Sequence, residues 1–257
     1  MPDPDNWDRH WELYGGSASR NPAQQMRHAL VARLLRGGAG TSAPRVLDLG
    51  SGQGDLIARL NREFPDAELA GFEMSARGVE QSRAKAPTAH FLAVDLFHPP
   101  PEAARFANWA SGAVCSEVLE HVDDPAAFLR AARGYLAGEG RLIVTVPGGP
   151  MSAFDRQIGH RRHFTRASIR RTIEEAGLTV ERVYLAGFPF FNLYRLVVIA
   201  RGEKLGDDVA SGRNGLSARL AESAMAAFRG LFRFNLMDFP FGWQVVAVAR
   251  KPGGADP

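Results

Sequence analysis

The stretch that most restricts this chain runs from Arg45 to Asp55, Arg-Val-Leu-Asp-Leu-Gly-Ser-Gly-Gln-Gly-Asp. Pro44 and the Gly/Ala/Ser run before it punctuate the chain. Val46, Leu47 and Leu49 read as a short buried strand, and Gly50, Gly52 and Gly54 as a tight turn. Leu56 to Leu60 continue with helical character, so the unit is strand, glycine turn, helix. Glycine is expected where a ligand must approach backbone without Cβ atoms in the way. The helix N-terminus beyond offers free N–H groups and a positive dipole end to an anionic group. A dinucleotide-binding turn wants G-x-G-x-x-G. Here the spacing is G-x-G-x-G, and Asp55 stands where the third glycine would fall. Asp48, two residues before Gly50, suits a cationic ligand or braces the turn, and it would repel a pyrophosphate. The cofactor is therefore not expected to be a dinucleotide.

After this turn strands and helices alternate. Leu69 to Glu73 is a second strand ending in a carboxylate, at about the distance where nucleotide-binding folds place an acid for ribose hydroxyls. Gly78 to Lys85 reads as a helix, Ala89 to Val94 as a third strand ending at Asp95, and Ala113 to Cys115 as a fourth, with a helix expected from near Glu117. Asp124-Pro125 opens a helix expected to run through Leu136 and stop at Gly138 and Gly140. Arg141 to Val146 is a fifth strand. A helix from Arg166 to Ala176, a strand from Thr179 to Leu185 and a final strand from Gln244 to Ala249 follow. The alternation implies an α/β fold, a mostly parallel sheet with helices on both faces, whose ligands bind at the carboxyl ends of the strands. Glu73, Asp95, Ser116 and the glycine turn all fall at such ends.

Three segments are expected: an N-terminal helical cap over 1–40, a cofactor-binding catalytic domain over 41–187 plus 242–251, and a helical, apolar insert over 188–241. Trp7, Trp11 and Tyr14 form one stripe in the cap, and Met26, Leu30 and Leu34 another. They either cover the core or form a lid over a bound ligand. Similarly, the insert either buries its own apolar face or shapes an acceptor site, a dimer contact or a peripheral membrane contact. A net charge of +3 permits an acidic substrate, RNA or an anionic membrane without selecting one. The single cysteine, Cys115, excludes an internal disulfide. With no secretory-type start and no apolar run of about 20 residues, a cytoplasmic protein is expected.

Val46-Leu47-Asp48-Leu49-Gly50-Ser51-Gly52-Gln53-Gly54 resembles the first motif of the class I S-adenosylmethionine-dependent methyltransferases. The order of Glu73, Asp95 and Ser116-Glu117-Val118-Leu119-Glu120-His121-Val122 is similar to that family too. The resemblance covers roughly residues 40–187 plus the last strand. It implies a Rossmann-like methyltransferase fold, a seven-stranded sheet with the last strand antiparallel, and S-adenosyl-L-methionine as cofactor. It places the methionine end near Asp48 and Gly50, with Ser51, Gly52 and Gly54 in the turn. The ribose hydroxyls fall on Glu73, the adenine amino group near Asp95, the ring between Met74 and Leu96, and Ser116 on the same side.

The expected reaction is in-line methyl transfer to an oxygen of a small metabolite, anionic or apolar. After the fourth strand there is no Asn/Asp-Pro-Pro-Tyr/Phe segment of the kind that methylates amide or adenine nitrogens. Glu117, Glu120 and His121 stand at i, i+3 and i+4, which places them on one face of the expected helix. His121 is the candidate base, with an ordinary pKa near neutrality, and His163 is the second candidate catalytic residue. The same triplet resembles the Glu-x-x-Glu-His of metal-dependent O-methyltransferases acting on an RNA 3′-terminal ribose or a quinone hydroxyl. There, Gly159 to Phe164 would supply a fourth ligand and Mg²⁺ or Mn²⁺ would suit two carboxylates and an imidazole. No metal is assigned, because the Glu-His pair is also widespread in methyltransferases that use none. Arg161 or Arg162 could grip a substrate carboxylate or phosphate, or belong to the solvated face of the next helix. Nucleic acid is not an expected partner, since the regular aromatic interleaving of a single-strand binder is missing. The alternative of another class is a non-catalytic cofactor-binding partner subunit.

Overall fold

The computed structural model describes residues 7–8, 11–12, 21–37, 44–201 and 216–253, with side chains throughout these except at 216–222. Tyr14, the Gly15-Gly16 pair and the tail beyond Gly253 lie outside them. Helix α1, Pro22–Arg36, starts where the sequence suggests: Asn21 accepts from the Ala23 N–H and Pro22 occupies the first turn. Strand β1 (Arg45–Leu49) leads through the glycine turn into α2 (Asp55–Glu63). Then follow β2 (Glu68–Glu73), α3 (Ala76–Lys85), β3 (His90–Ala93), β4 (Ala110–Ser116) and α4 (Pro125–Arg133). The chain continues with β5 (Leu136–Pro147), α5 (Ala153–Gln157), α6 (Arg166–Glu175) and β6 (Thr179–Ala186). It closes with α7 (Phe190–Arg201), α8 (Leu216–Leu231) and β7 (Gln244–Arg250).

The seven strands form one sheet in the order β3-β2-β1-β4-β5-β7-β6. β1 pairs in parallel with both β2 and β4, and β7 slots antiparallel between β5 and β6. Strand order reverses between β1 and β4, which opens a crevice at their carboxyl ends. Alternation along β1 explains the two cores: Leu47 and Leu49 join one buried cluster with Phe72 and Cys115, while Val46 joins the other with Ile57, Leu60 and Val114. A third cluster packs Ala23 of α1 against Phe191, Tyr194 and Val198 of α7 and Phe232 beyond α8. The outer face of α7 presents Leu193, Leu196 and Val197. Among the described residues no helix is long and apolar enough to cross a membrane.

Two elements depart from the sequence expectation. No helix starts at Glu117; residues 117–124 are turns and bends, with His121 N–H donating to Val118 O and Val122 N–H to Leu119 O. Glu117 takes φ 57, a left-handed conformation that cannot open a right-handed helix, and the next helix waits for the Asp124 cap and Pro125. Likewise α4 ends at Arg133, short of Leu136, and Gly138 and Gly140 lie inside β5 instead of stopping a helix. Glu139 at φ 60 and a register shift between Ala110 and Gly112 mark an irregular start to this pairing.

Candidate active site

The glycine turn is held from the neighbouring strand. Gly50 and Ser51 N–H groups both donate to Phe72 O, at 2.8 and 3.0 Å. Gly50, Gly52 and Gly54 sit at φ 75, 55 and 77, so three left-handed residues in five fold the chain back over the end of β1. A Cβ on Gly52 would come within 2.8 Å of the Trp11 indole, and Trp11 also lies against Gly78 at the start of α3. Asp8 on the same segment accepts from Ser75 Oγ and from the Arg77 N–H. The aromatic residues at 7 and 11 thus lie across the carboxyl ends of the strands.

Glu73 closes the turn: Oε2 accepts from Gly52 N–H at 2.8 Å and Oε1 from Ser75 N–H at 3.0 Å. Burial raises its pKa, against the pull of those N–H groups. Asp48, 3% exposed, is pushed up to about 7 by burial first and by the charge of Glu73 second. Ser51 is buried beside the turn, Met74 is half-exposed just after Glu73, and Leu96 is buried in the core cluster. The Asp95 carboxylate accepts from Phe97 N–H and faces His98 Nδ1 at 3.0 Å; these partners hold its pKa low despite some burial. Ser116 Oγ lies 2.8 Å from Thr145 Oγ1.

A second group of polar side chains gathers beyond β4. Glu117 Oε1 accepts from Thr145 Oγ1 at 3.1 Å and from Gln244 Nε2 at 2.9 Å, and its Oε2 lies 3.6 Å from Arg27 Nη1. Glu120 is fully buried, and among the described residues neither of its carboxylate oxygens has a hydrogen-bond partner. Burial first and the Glu117 charge second raise its pKa well above that of an ordinary carboxyl group. Arg161 N–H donates to Glu120 O at 2.8 Å, and this bond brings the segment after α5 beside the turn after β4. His160 consequently meets His121 edge-on, with ring centroids 4.8 Å apart, and its Nε2 is 4.0 Å from Glu120 Oε1. Trp7 meets the His121 ring at 4.9 Å.

The histidines form a chain whose tautomers follow from one carbonyl. His163 Nδ1 is 3.1 Å from Gly149 O, so it carries the proton, and His163 Nε2 accepts from His160 Nδ1 at 3.3 Å. His160 Nε2 is left with its lone pair toward Glu120 and His121. Burial, then the charge of His121, lowers the His160 pKa to about 2. Behind it, Asp155 is tied to Ser152 and to Arg195 Nη2 at 2.7 Å, which keeps its pKa at about 2 in spite of burial.

The structure therefore separates Glu117 from Glu120 and His121, which the helical spacing had put on one face. It brings His160 to Glu120 and His121, and connects His163 to them through His160. Arg161 pairs with the Asp123 carboxylate and Arg162 Nη2 donates to Asp123 O. Arg27 and Gln244 were not anticipated as neighbours of Glu117. A lone arginine on a helix and a polar first residue of a buried strand carry no local signal of such a contact.

The glycine turn, Asp48 and Glu73 stand together at the carboxyl ends of β1 and β2, and known proteins supply the class. Residues 22–183 match the family model described as a methyltransferase domain, and the chain belongs to this family. S-adenosylmethionine is the cofactor that membership brings to the crevice, and it fits the buried acid Asp48 beside a turn without Cβ atoms. Among relatives, a trans-aconitate 2-methyltransferase of Methylobacterium radiotolerans is 36% identical over 106 residues, 41% of this chain and 39% of that one. A ubiquinone biosynthesis O-methyltransferase of Aeromonas salmonicida is 26% identical over 193 residues, 67% of this chain and 77% of that one. The chain spans between about two fifths and three fifths of the length of three trans-aconitate 2-methyltransferases that it resembles. Phosphoethanolamine N-methyltransferase 2 of Haemonchus contortus, solved with S-adenosyl-L-methionine, shares the fold at a TM-score of 0.57 and 14% identity, over 88% of this chain and 52% of that one.

Proposed function

We propose that the protein transfers the methyl group of S-adenosylmethionine to an oxygen of a small-molecule acceptor. The observation that carries this is the placement of the glycine turn and the Glu117–His121 turn at the ends of adjacent strands β1 and β4. Bound there, the sulfonium supplies a methyl carbon open to in-line displacement, with the C–S electron pair leaving on sulfur. Asp48 takes the ammonium end, and Glu73 uses its remaining lone pairs on the ribose hydroxyls. Met74 and Leu96 would flank the adenine, with Asp95 at its amino group; Ser51, Gly52 and Gly54 would leave room for the chain of the ligand, and Ser116 would line the methyl side. His121 accepts the proton of a hydroxyl acceptor as the new C–O bond forms, and positioning supplies much of the rest. His163 acts through His160 by fixing its tautomer. Relatives named for trans-aconitate and for ubiquinone biosynthesis, the latter an O-methyltransferase, support an oxygen acceptor. Transfer of labelled methyl from S-adenosylmethionine across a metabolite set tests this. Acceptors methylated at oxygen support it, and methylation confined to amines would sink it.

A second reading, metal-assisted O-methylation, is favoured by one specific observation. The ligating atoms of Glu120, His121 and His160 lie within 4.8 Å of one another, and both Glu120 oxygens lack a hydrogen-bond partner among the described residues. One carboxylate and two imidazoles make a softer set than the sequence spacing implied, suiting Mn²⁺ or Zn²⁺ better than Mg²⁺. A metal there would activate the acceptor oxygen. Dialysis against chelator, then assay with Mg²⁺, Mn²⁺ or Zn²⁺ restored one at a time, decides it; activity indifferent to all three ends the metal reading.

A further inference from the structure

Arg27 is a cation with most of its hydrogen-bonding capacity unspent. Its side chain is only 15% exposed, yet its sole ion pair among the described residues is the 3.6 Å approach to Glu117 Oε2, and it makes no hydrogen bond among them. Glu117 cannot swing in to complete the pair, because Thr145 and Gln244 pin its other oxygen, and Gln244 is itself buried and held on Val146 O. The other arginines of this side are already committed, Arg161 and Arg162 to Asp123 and Arg195 to Asp155. A guanidinium offers five N–H donors in a planar fork, and leaving such donors without acceptors in a half-dry site is costly.

The surroundings place this fork on the acceptor side. Arg27 stands on α1, with Glu117 at the end of β4 on one hand and the buried Tyr194 of α7 on the other, whose phenol feels the Arg27 charge. Among the described residues the Tyr194 hydroxyl donates only to Asn21 Oδ1, at a long 3.4 Å and to an atom already capping α1, so its one proton is weakly held and can turn to a carboxylate oxygen. We propose that Arg27, with Tyr194 beside it, anchors a carboxylate of the acceptor, and that the protein methylates carboxylate-bearing small molecules. This rests on the methyl-transfer reading above. The charge balance selects a carboxylate over a phosphate. One guanidinium already facing one carboxylate, with a sulfonium nearby, matches a single negative charge and leaves a phosphate dianion in excess. An amine acceptor would meet the Arg27 cation without compensation.

The test uses the full chain saturated with sinefungin, whose amine keeps a positive charge where S-adenosylhomocysteine has a neutral thioether, followed by calorimetry with citrate, succinate and 4-hydroxybenzoate. Each is measured against its amide, with phosphoethanolamine and glycerol phosphate as further arms. At least one acid should bind while its amide does not. Arg27→Gln should weaken that acid on the order of 10- to 100-fold, as loss of a charge-assisted contact implies, with Arg27→Lys in between. Both variants should hold sinefungin within about twofold, which shows that they fold. The proposal is overturned if no acid binds, if acids and amides bind alike, if only the phosphate compounds bind, or if Arg27→Gln leaves the acid unaffected. Failure of sinefungin itself to bind overturns the methyl-transfer reading and this proposal with it. Normal cofactor binding without acid binding overturns this proposal alone.

Discussion

Asp48 links cofactor binding to pH in a single residue. Its carboxyl is pushed up to about 7 by burial and by Glu73, so the unliganded protein holds a proton there that the unfolded chain has already lost. The native state then binds more protons between about pH 4 and 7, and unliganded stability falls over that window before levelling off. A cationic ligand favours the ionised form. S-adenosylmethionine should therefore bind about tenfold more tightly at pH 8 than at pH 6, the ratio of ionised fractions either side of a pKa near 7. In Asp48→Asn the affinity should be weak and flat over the same range, and calorimetry at the two pH values checks both. Glu120 is a second acid whose pKa burial raises. Without a metal, Glu120→Gln exchanges a buried carboxyl group for an amide of the same shape and activity should stay within about threefold. With a metal bound, it removes an anionic ligand and activity should fall by at least about tenfold, in line with the strong dependence of such sites on their ligands. The positions of Glu73 and Asp95 in the fold were legible because each follows a hydrophobic run, and that of Asp48 because it stands two residues before the glycine turn. Arg27, Gln244 and the approach of His160 were not, because they depend on contacts made across many residues, such as Arg161 N–H to Glu120 O.

At the scale of elements, the segment carrying Trp7 and Trp11 and the turn after β4 shape the crevice. The aromatic spacing left open whether this segment covers the core or a ligand. Trp11 lies on the glycine turn and Trp7 meets His121, which supports the lid. Trp11→Ala should weaken S-adenosylhomocysteine binding several-fold while shifting the melting temperature of the unliganded protein by no more than about 2 °C, because a surface contact away from the core is worth roughly 0.5 kcal/mol. Equal loss of stability and affinity would make Trp11 a core residue instead. The turn at 117–122 shows the limit of periodicity. Glu, Glu and His at helical spacing read as one face, but a left-handed Glu117 and the Asp124-Pro125 start leave no turn of helix between them. Backbone conformation at a single residue decided the matter, and side-chain spacing does not encode it.

For the whole molecule, the alternation of strands and helices carried the parallel sheet, and the reversal at β1 and β4 carried the location of the crevice. That the last strand is antiparallel came only from the family resemblance, and its place between β5 and β6 only from the structure, since both are set by pairing partners far apart in the chain. The packing of α1 on α7 and Phe232 was equally out of reach of local pattern, and it is this packing that brings Tyr194 to the helix that carries Arg27. A ligand that binds only the folded crevice should stabilise the entire sheet. At a hundredfold excess over its dissociation constant, S-adenosylmethionine should add about 2.7 kcal/mol to the unfolding free energy, read as a cooperative rise in melting temperature. The most direct measurement is calorimetry of the intact chain with S-adenosylmethionine and S-adenosylhomocysteine. One molecule of either should bind per chain, and Asp48→Ala and Glu73→Ala should each weaken binding by at least about tenfold, roughly one lost charged contact, without unfolding the protein. Absence of binding by both ligands would contradict the account at its centre.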